Sequence, residues 1–142
     1  MSKTYSIDEI QTLRVNAEKG LAADQLNLGN AYKKGQGVAK DDTEAFKWLQ
    51  LAANQGLAVA QNNLAVMYEY GEGVAKDSAK AVTWYRLAAT QGFDKAQYRL
   101  GSMYANGEGV PRNKDEAATW FQLAAEQNFP GAQNALDCLY VK

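Results

Sequence analysis

Leu57-Ala58-Val59-Ala60-Gln61-Asn62-Asn63-Leu64-Ala65-Val66-Met67-Tyr68-Glu69-Tyr70-Gly71-Glu72-Gly73-Val74, continued by Ala75-Lys76-Asp77-Ser78-Ala79-Lys80-Ala81-Val82-Thr83-Trp84-Tyr85-Arg86-Leu87-Ala88-Ala89-Thr90-Gln91-Gly92, decides the fold. Leu64, Met67 and Tyr68 stand at i, i+3 and i+4, one face of a helix. Ala81, Trp84, Tyr85 and Ala88 trace one face of a second. Between them Gly71 and Gly73 stop the first helix. Asp77 and Ser78 are residues suited to capping the second. The stretch is therefore a helix–turn–helix unit, here termed A helix and B helix.

Outward from this stretch the same pattern recurs every 36 residues. Tyr32, Tyr68, Tyr104 and Tyr140 are in register, as are Leu28, Leu64, Leu100 and Leu136, and Gln25, Gln61, Gln97 and Gln133. Trp48, Trp84 and Trp120 keep the same step. Residues 21–56 and 57–92 match at 19 of 36 positions, and 57–92 and 93–128 at 16. The spacing predicts a leading B-type helix near 7–19, with Ser6 and Glu9 spaced as a capping box. Three AB pairs follow, near 22–34 and 42–54, 58–70 and 78–90, and 94–106 and 114–126, with a last A-type helix near 131–140. The expected fold is all-α: about eight helices in a right-handed α-α superhelix, one repeat domain over residues 1–142, with residues 129–142 a terminal half-repeat. The tryptophans are expected to fill the volume between successive pairs. Ala45, Ala81 and Ala117 should face the small residues Gly29, Ala65 and Gly101, so that helix axes approach closely. Asp137 takes the fourth small position; a carboxylate there suits an A helix that no B helix follows, and is expected to mark a chain end.

These motifs resemble the Sel-1-like repeat family, a relative of the tetratricopeptide repeat. The likeness rests on Ala58, Ala60-Gln61, Leu64, Tyr68 and Gly71-Glu72-Gly73-Val74, then Ala81, Trp84, Ala88-Ala89 and Gln91-Gly92, and it runs from about Leu21 to Tyr140. The resemblance implies an adaptor or scaffold that assembles complexes, frequently bacterial. Some relatives cross-link each helix pair with cysteines; this chain has a single cysteine, so packing must hold it together. Asn128 replaces the glycine found at Gly20, Gly56 and Gly92, a substitution that the left-handed conformation allows.

Composition narrows the function further. Basic and acidic residues number 15 and 16, a net charge of −1, which gives no field for nucleic acid and no polybasic membrane patch. No apolar run is long enough to span a bilayer, and the first residues do not read as a signal peptide, so a cytoplasmic location is expected. Histidine is absent, which removes the commonest general base and metal ligand. Gly35-Gln36-Gly37 lacks the lysine and the preceding strand of a phosphate loop. Glu69 with Glu72, and Asp41 with Asp42, read as caps and solvated charge at helix ends rather than acid/base pairs. Cys138 has no histidine to activate it, so a hydrolase is disfavoured and a buried or semi-exposed structural thiol favoured. No cofactor and no metal is expected.

Function is then sought where repeats differ, because framework positions recur for stacking. If the A helices line the concave face, as in tetratricopeptide proteins, the inward ladder is Leu26, Asn30 and Lys34, then Asn62, Val66 and Tyr70, then Tyr98, Ser102 and Asn106, then Asn134 and Cys138. Tyrosine is enriched in interfaces and asparagine adapts its hydrogen bonds. The expectation is a non-enzymatic module that binds a protein or peptide on this face, as a monomer or as a weak homodimer through the last helix. Alternatives are an immunity-type protein that blocks one cognate enzyme, and a piece that self-assembles end to end.

Overall fold

A computed structural model describes residues 4–141. Eight helices occupy them: α1 (Ile7–Glu18), α2 (Ala22–Lys34), α3 (Asp42–Asn54), α4 (Ala58–Tyr70), α5 (Ser78–Thr90), α6 (Asp94–Asn106), α7 (Lys114–Glu126) and α8 (Ala132–Leu139). No strand occurs among the described residues. Extensive packing runs between helices consecutive in the chain, as in a solenoid.

Local chemistry sets the boundaries. Ser6 and Glu9 close the capping box at α1, with Ser6 Oγ accepting from Glu9 N at 3.1 Å and Glu9 Oε1 from Ser6 N at 3.2 Å. The B helices α3, α5 and α7 are capped by Asp41, Asp77 and Asn113, each side chain accepting from the first turn. Ser78 is the first residue of α5 rather than its cap. The A helices α2, α4 and α6 end at Gly35, Gly71 and Gly107 in the left-handed conformation. The second glycine of each loop has a different task. At Gly73 an added Cβ would run into the Asp42 carbonyl at the start of α3, so this loop lies backbone to backbone on the previous repeat.

A glutamine relay, absent from the sequence-based expectations, ties the repeats together. Gln91 Nε2 donates to Gly56 O at 2.9 Å and to Gln61 Oε1 at 2.8 Å, and Gln61 Nε2 donates to Ala53 O at 3.2 Å. The same bonds link Gln55 to Gly20 and Gln25, and Gln127 to Gly92 and Gln97. Gln25, Gln61 and Gln97 are buried, yet their amides are satisfied at both ends. Gln133 departs, donating to exposed Asp137 within α8.

Two expectations about the core need correction. Trp48 is buried, but Trp84 and Trp120 are only half-buried. The inter-helix volume is filled by the next residue instead, Leu49, Tyr85 and Phe121, at 0, 0 and 3% exposure. The stripe facing the partner helix runs Ala81–Tyr85–Ala88, at i, i+4 and i+7, and leaves the tryptophan on its shoulder. Accordingly the small A-helix positions make room mainly for these large side chains. A Cβ at Gly29 would lie 2.8 Å from Leu49 Cγ and 3.3 Å from Ala45 O, and one at Gly101 2.8 Å from Phe121 Cδ1. The tyrosine series also divides: Tyr68 and Tyr104 are buried, Tyr32 is half-buried, and Tyr140 is exposed beneath Lys114, whose Nζ sits 4.5 Å from the ring centroid.

Candidate functional site: a cleft on the A-helix face

Stacking α6 beside α4 leaves a cleft of about 320 Å³. From α4 come Asn62, Val66 and Tyr70, one turn apart along one face, and from α6 comes Tyr98. Phe129, in the turn before α8, closes one side, its ring centroid 5.0 Å from that of Tyr98. Tyr98 also rests 5.5 Å from Phe121, which fixes it between the core and the cleft. Tyr70 stands at the mouth, 62% exposed.

A charged cluster supports this cleft. Tyr85 and Arg99 both line it, and both donate to Glu69: Tyr85 Oη to Oε1 at 2.7 Å, and Arg99 through its guanidinium to Oε2. Glu69 is buried, contrary to its reading as a solvated end charge, because helix α6 and helix α5 close over the last turn of α4. Burial, then the Glu69 carboxylate, push the Tyr85 hydroxyl far above its ordinary value, so it remains a donor. For Arg99 burial is the largest influence and acts against the charge, but the attraction and hydrogen bond of Glu69, with the neighbouring tyrosines, together outweigh it and the net shift is upward. The cluster is thus charge-balanced in itself. One signal could have found it: Glu69 and Arg99 are charges that do not recur, their register partners being Lys33 and Ala105, and Asn63 and Ala135.

The remaining ladder positions spread out. Ser102, Asn106 and Cys138 meet at a second opening of about 370 Å³ between α6 and α8, with Leu139 and Val141 at its edge. Cys138 is exposed, so it is not a buried structural thiol. Leu26 is half-buried against the core, and Asn30 Oδ1 accepts from Asn63 Nδ2 at 3.2 Å. Lys34 and Asn134 are exposed and line neither opening. Among the described residues no three of the metal-ligating types come together, and no helix is long and apolar enough to cross a membrane.

Fold and face together define a helical repeat solenoid whose stacked hairpins present a grooved surface. The Sel1 repeat model matches residues 22–57, 58–93 and 94–129, and the chain belongs to the Sel1 repeat family. Membership implies a protein–protein interaction module; the family is generally one of non-enzymatic scaffolds. A Sel1 repeat protein from Oxalobacter formigenes is similar at 38% identity, over 92% of this chain and 98% of that one, with a TM-score of 0.84. A protective antigen of uropathogenic Escherichia coli strains, displaying an SLR fold, is 44% identical with a TM-score of 0.84. That match covers 87% of this chain, which spans only 27% of the antigen's length. Cysteine rich protein B of Helicobacter pylori shares the fold at 21% identity, over 88% of this chain and 92% of that one, with a TM-score of 0.71. No curated protein matches the sequence.

Proposed function

We infer that the chain binds a protein or peptide partner on the concave A-helix face, with Tyr70 and Tyr98 as the principal contacts and Leu26, Asn30, Lys34, Asn62, Val66, Ser102, Asn106 and Asn134 as the flanking surface. The observation that carries this reading is the convergence of Asn62, Val66, Tyr70 and Tyr98 on one cleft. None of the four is a framework position: their register partners differ in every repeat except for Asn134. A ring-lined depression with a buried amide is the kind of pocket into which partner anchors fit.

The test is capture of partners from the native host with the full chain, followed by the double substitution Tyr70→Ala and Tyr98→Ala. The expected result is an affinity at least about tenfold lower with unchanged helical content. Undiminished affinity in a folded variant would remove this face from consideration.

A further inference from the structure

Most ties that hold one repeat on the next are alike at every junction. The glutamine relay recurs as Gln55 on Gln25, Gln91 on Gln61 and Gln127 on Gln97. The second loop glycine meets backbone each time: Gly37 at Tyr5, Gly73 at Asp42 and Gly109 at Ser78. Such ties fit any two hairpins, so they do not fix the order in which hairpins stack. Neighbouring repeats match at 19 and 16 of 36 positions, and misassembly between like units is a characteristic failure of repeat chains.

The charged cluster beneath the cleft is different. Three consecutive helices each supply one member: Glu69 from α4, Tyr85 from α5 and Arg99 from α6. None of the three recurs. Tyr85 has Leu49 and Phe121 in its register, and neither carries a donor. At the positions of Glu69 and Arg99 the junction before has Lys33 and Asn63, and the junction after has Ala105 and Ala135. Lys33 bonds instead to Glu72 at 3.0 Å, Asn63 to Asn30 at 3.2 Å, and Ala105 and Ala135 pack against the apolar core. One register thus carries polar, charged and apolar chemistry at three successive junctions.

A wrong stack mixes these chemistries. With α6 of one copy beside α2 of another, Arg99 would stand against Lys33, a like charge. With α8 or α4 of another copy beside α4, Glu69 would meet Ala135 or Asn63 and no cation. Glu69 is 5% exposed, and a carboxylate so buried is strongly unfavourable without its counter-charge. In the correct stack desolvation offsets much of the attraction, and apolar side chains of similar volume commonly serve as well. The cluster therefore discriminates between stacks more than it strengthens the right one.

We propose that Glu69, Tyr85 and Arg99 are a register key, which keeps the repeats of one chain from stacking out of order on those of a second copy by penalising any stack that parts Glu69 from Arg99. This role is independent of what the A-helix face binds.

The experiment refolds the full chain from urea at about 50 μM and resolves the products by size-exclusion chromatography with light scattering. The wild type should return almost wholly as monomer. The variant Glu69→Met, Tyr85→Phe, Arg99→Met keeps the volume but removes the key. Its urea midpoint should be unchanged or up to about 0.5 M higher, yet it should yield at least about threefold more dimer and larger species. Arg99→Lys, which keeps the counter-charge, should stay near the wild-type distribution. The proposal is overturned if the apolar variant refolds to monomer as completely as the wild type. It is overturned equally if that variant has a lower midpoint or does not fold, since the cluster is then a stabilising element. Misassembly of folded Arg99→Lys to the same extent as the apolar variant would also overturn it, because pairing of charge would not be what discriminates.

Discussion

Two glycines with nearly the same backbone conformation should respond very differently to alanine. Gly56, between α3 and α4, has φ +94°, and a Cβ there would meet nothing within 4 Å. Gly73, between α4 and α5, has φ +72°, and its Cβ would fall 2.6 Å from Asp42 C and 3.1 Å from Thr43 N, besides the Asp42 carbonyl oxygen. Both variants incur the left-handed penalty of about 1–2 kcal/mol for an L side chain. Asn128 sits at φ +61° in the register of Gly56, so that position does accept a side chain. At Gly73 an overpacking cost of about 1–3 kcal/mol is added, because the obstacle is backbone and cannot rotate aside. The expected losses are therefore about 1–2 kcal/mol for Gly56→Ala and about 2–5 kcal/mol for Gly73→Ala. With a urea slope of about 2 kcal/mol/M, the midpoints should differ by roughly 0.5–1.5 M, read by far-UV circular dichroism. Gly73→Ala should also broaden the transition, since it disturbs the packing of one repeat's loop on the backbone of the previous repeat. Coincident midpoints would refute the view that these loops stack the solenoid.

Other perturbations address the packing and the polar ties. Tyr85 stays protonated in the folded chain, while an unfolded tyrosine ionises near pH 10, so stability should fall as pH rises above about 10. In Tyr85→Phe that part of the alkaline loss, about 1.4 kcal/mol per pH unit for one group, should disappear from urea titrations across that range. At neutral pH the same variant should lose about 1–3 kcal/mol, because Glu69 forfeits a buried donor. Gln91→Ala should lose about 1–2 kcal/mol, since it strips the donor from both Gly56 O and the buried Gln61 Oε1; an unaffected midpoint would make the relay incidental. Trp48→Ala should cost about 3–5 kcal/mol and Trp84→Ala clearly less, following their burial; thermal melts that rank them the other way would contradict the assignment of the filling role to Tyr85.

The sequence by itself determined everything that depends on neighbours in the chain. A cap such as Asp77, a left-handed stop such as Gly71 and an i, i+4 apolar stripe act within one turn or one loop, so their spacing reveals them directly. Repetition at 36 residues then magnifies each signal, and the eight helices follow. What only the tertiary structure decided are matters of orientation and of partners from other repeats. Trp84 and Tyr85 are adjacent and both aromatic; which one points into the core depends on a rotation of α5 by about 100°, set by how α4 and α6 pack on it. The pairing of Glu69 with Arg99 needs two helices brought side by side across 30 residues. Asn62 reads as an ordinary polar residue on a helix face, and its side-chain oxygen is buried without a partner only because neighbouring helices close around it. Burial and charge pairing are properties of what surrounds a side chain, and the chain's own order does not record them.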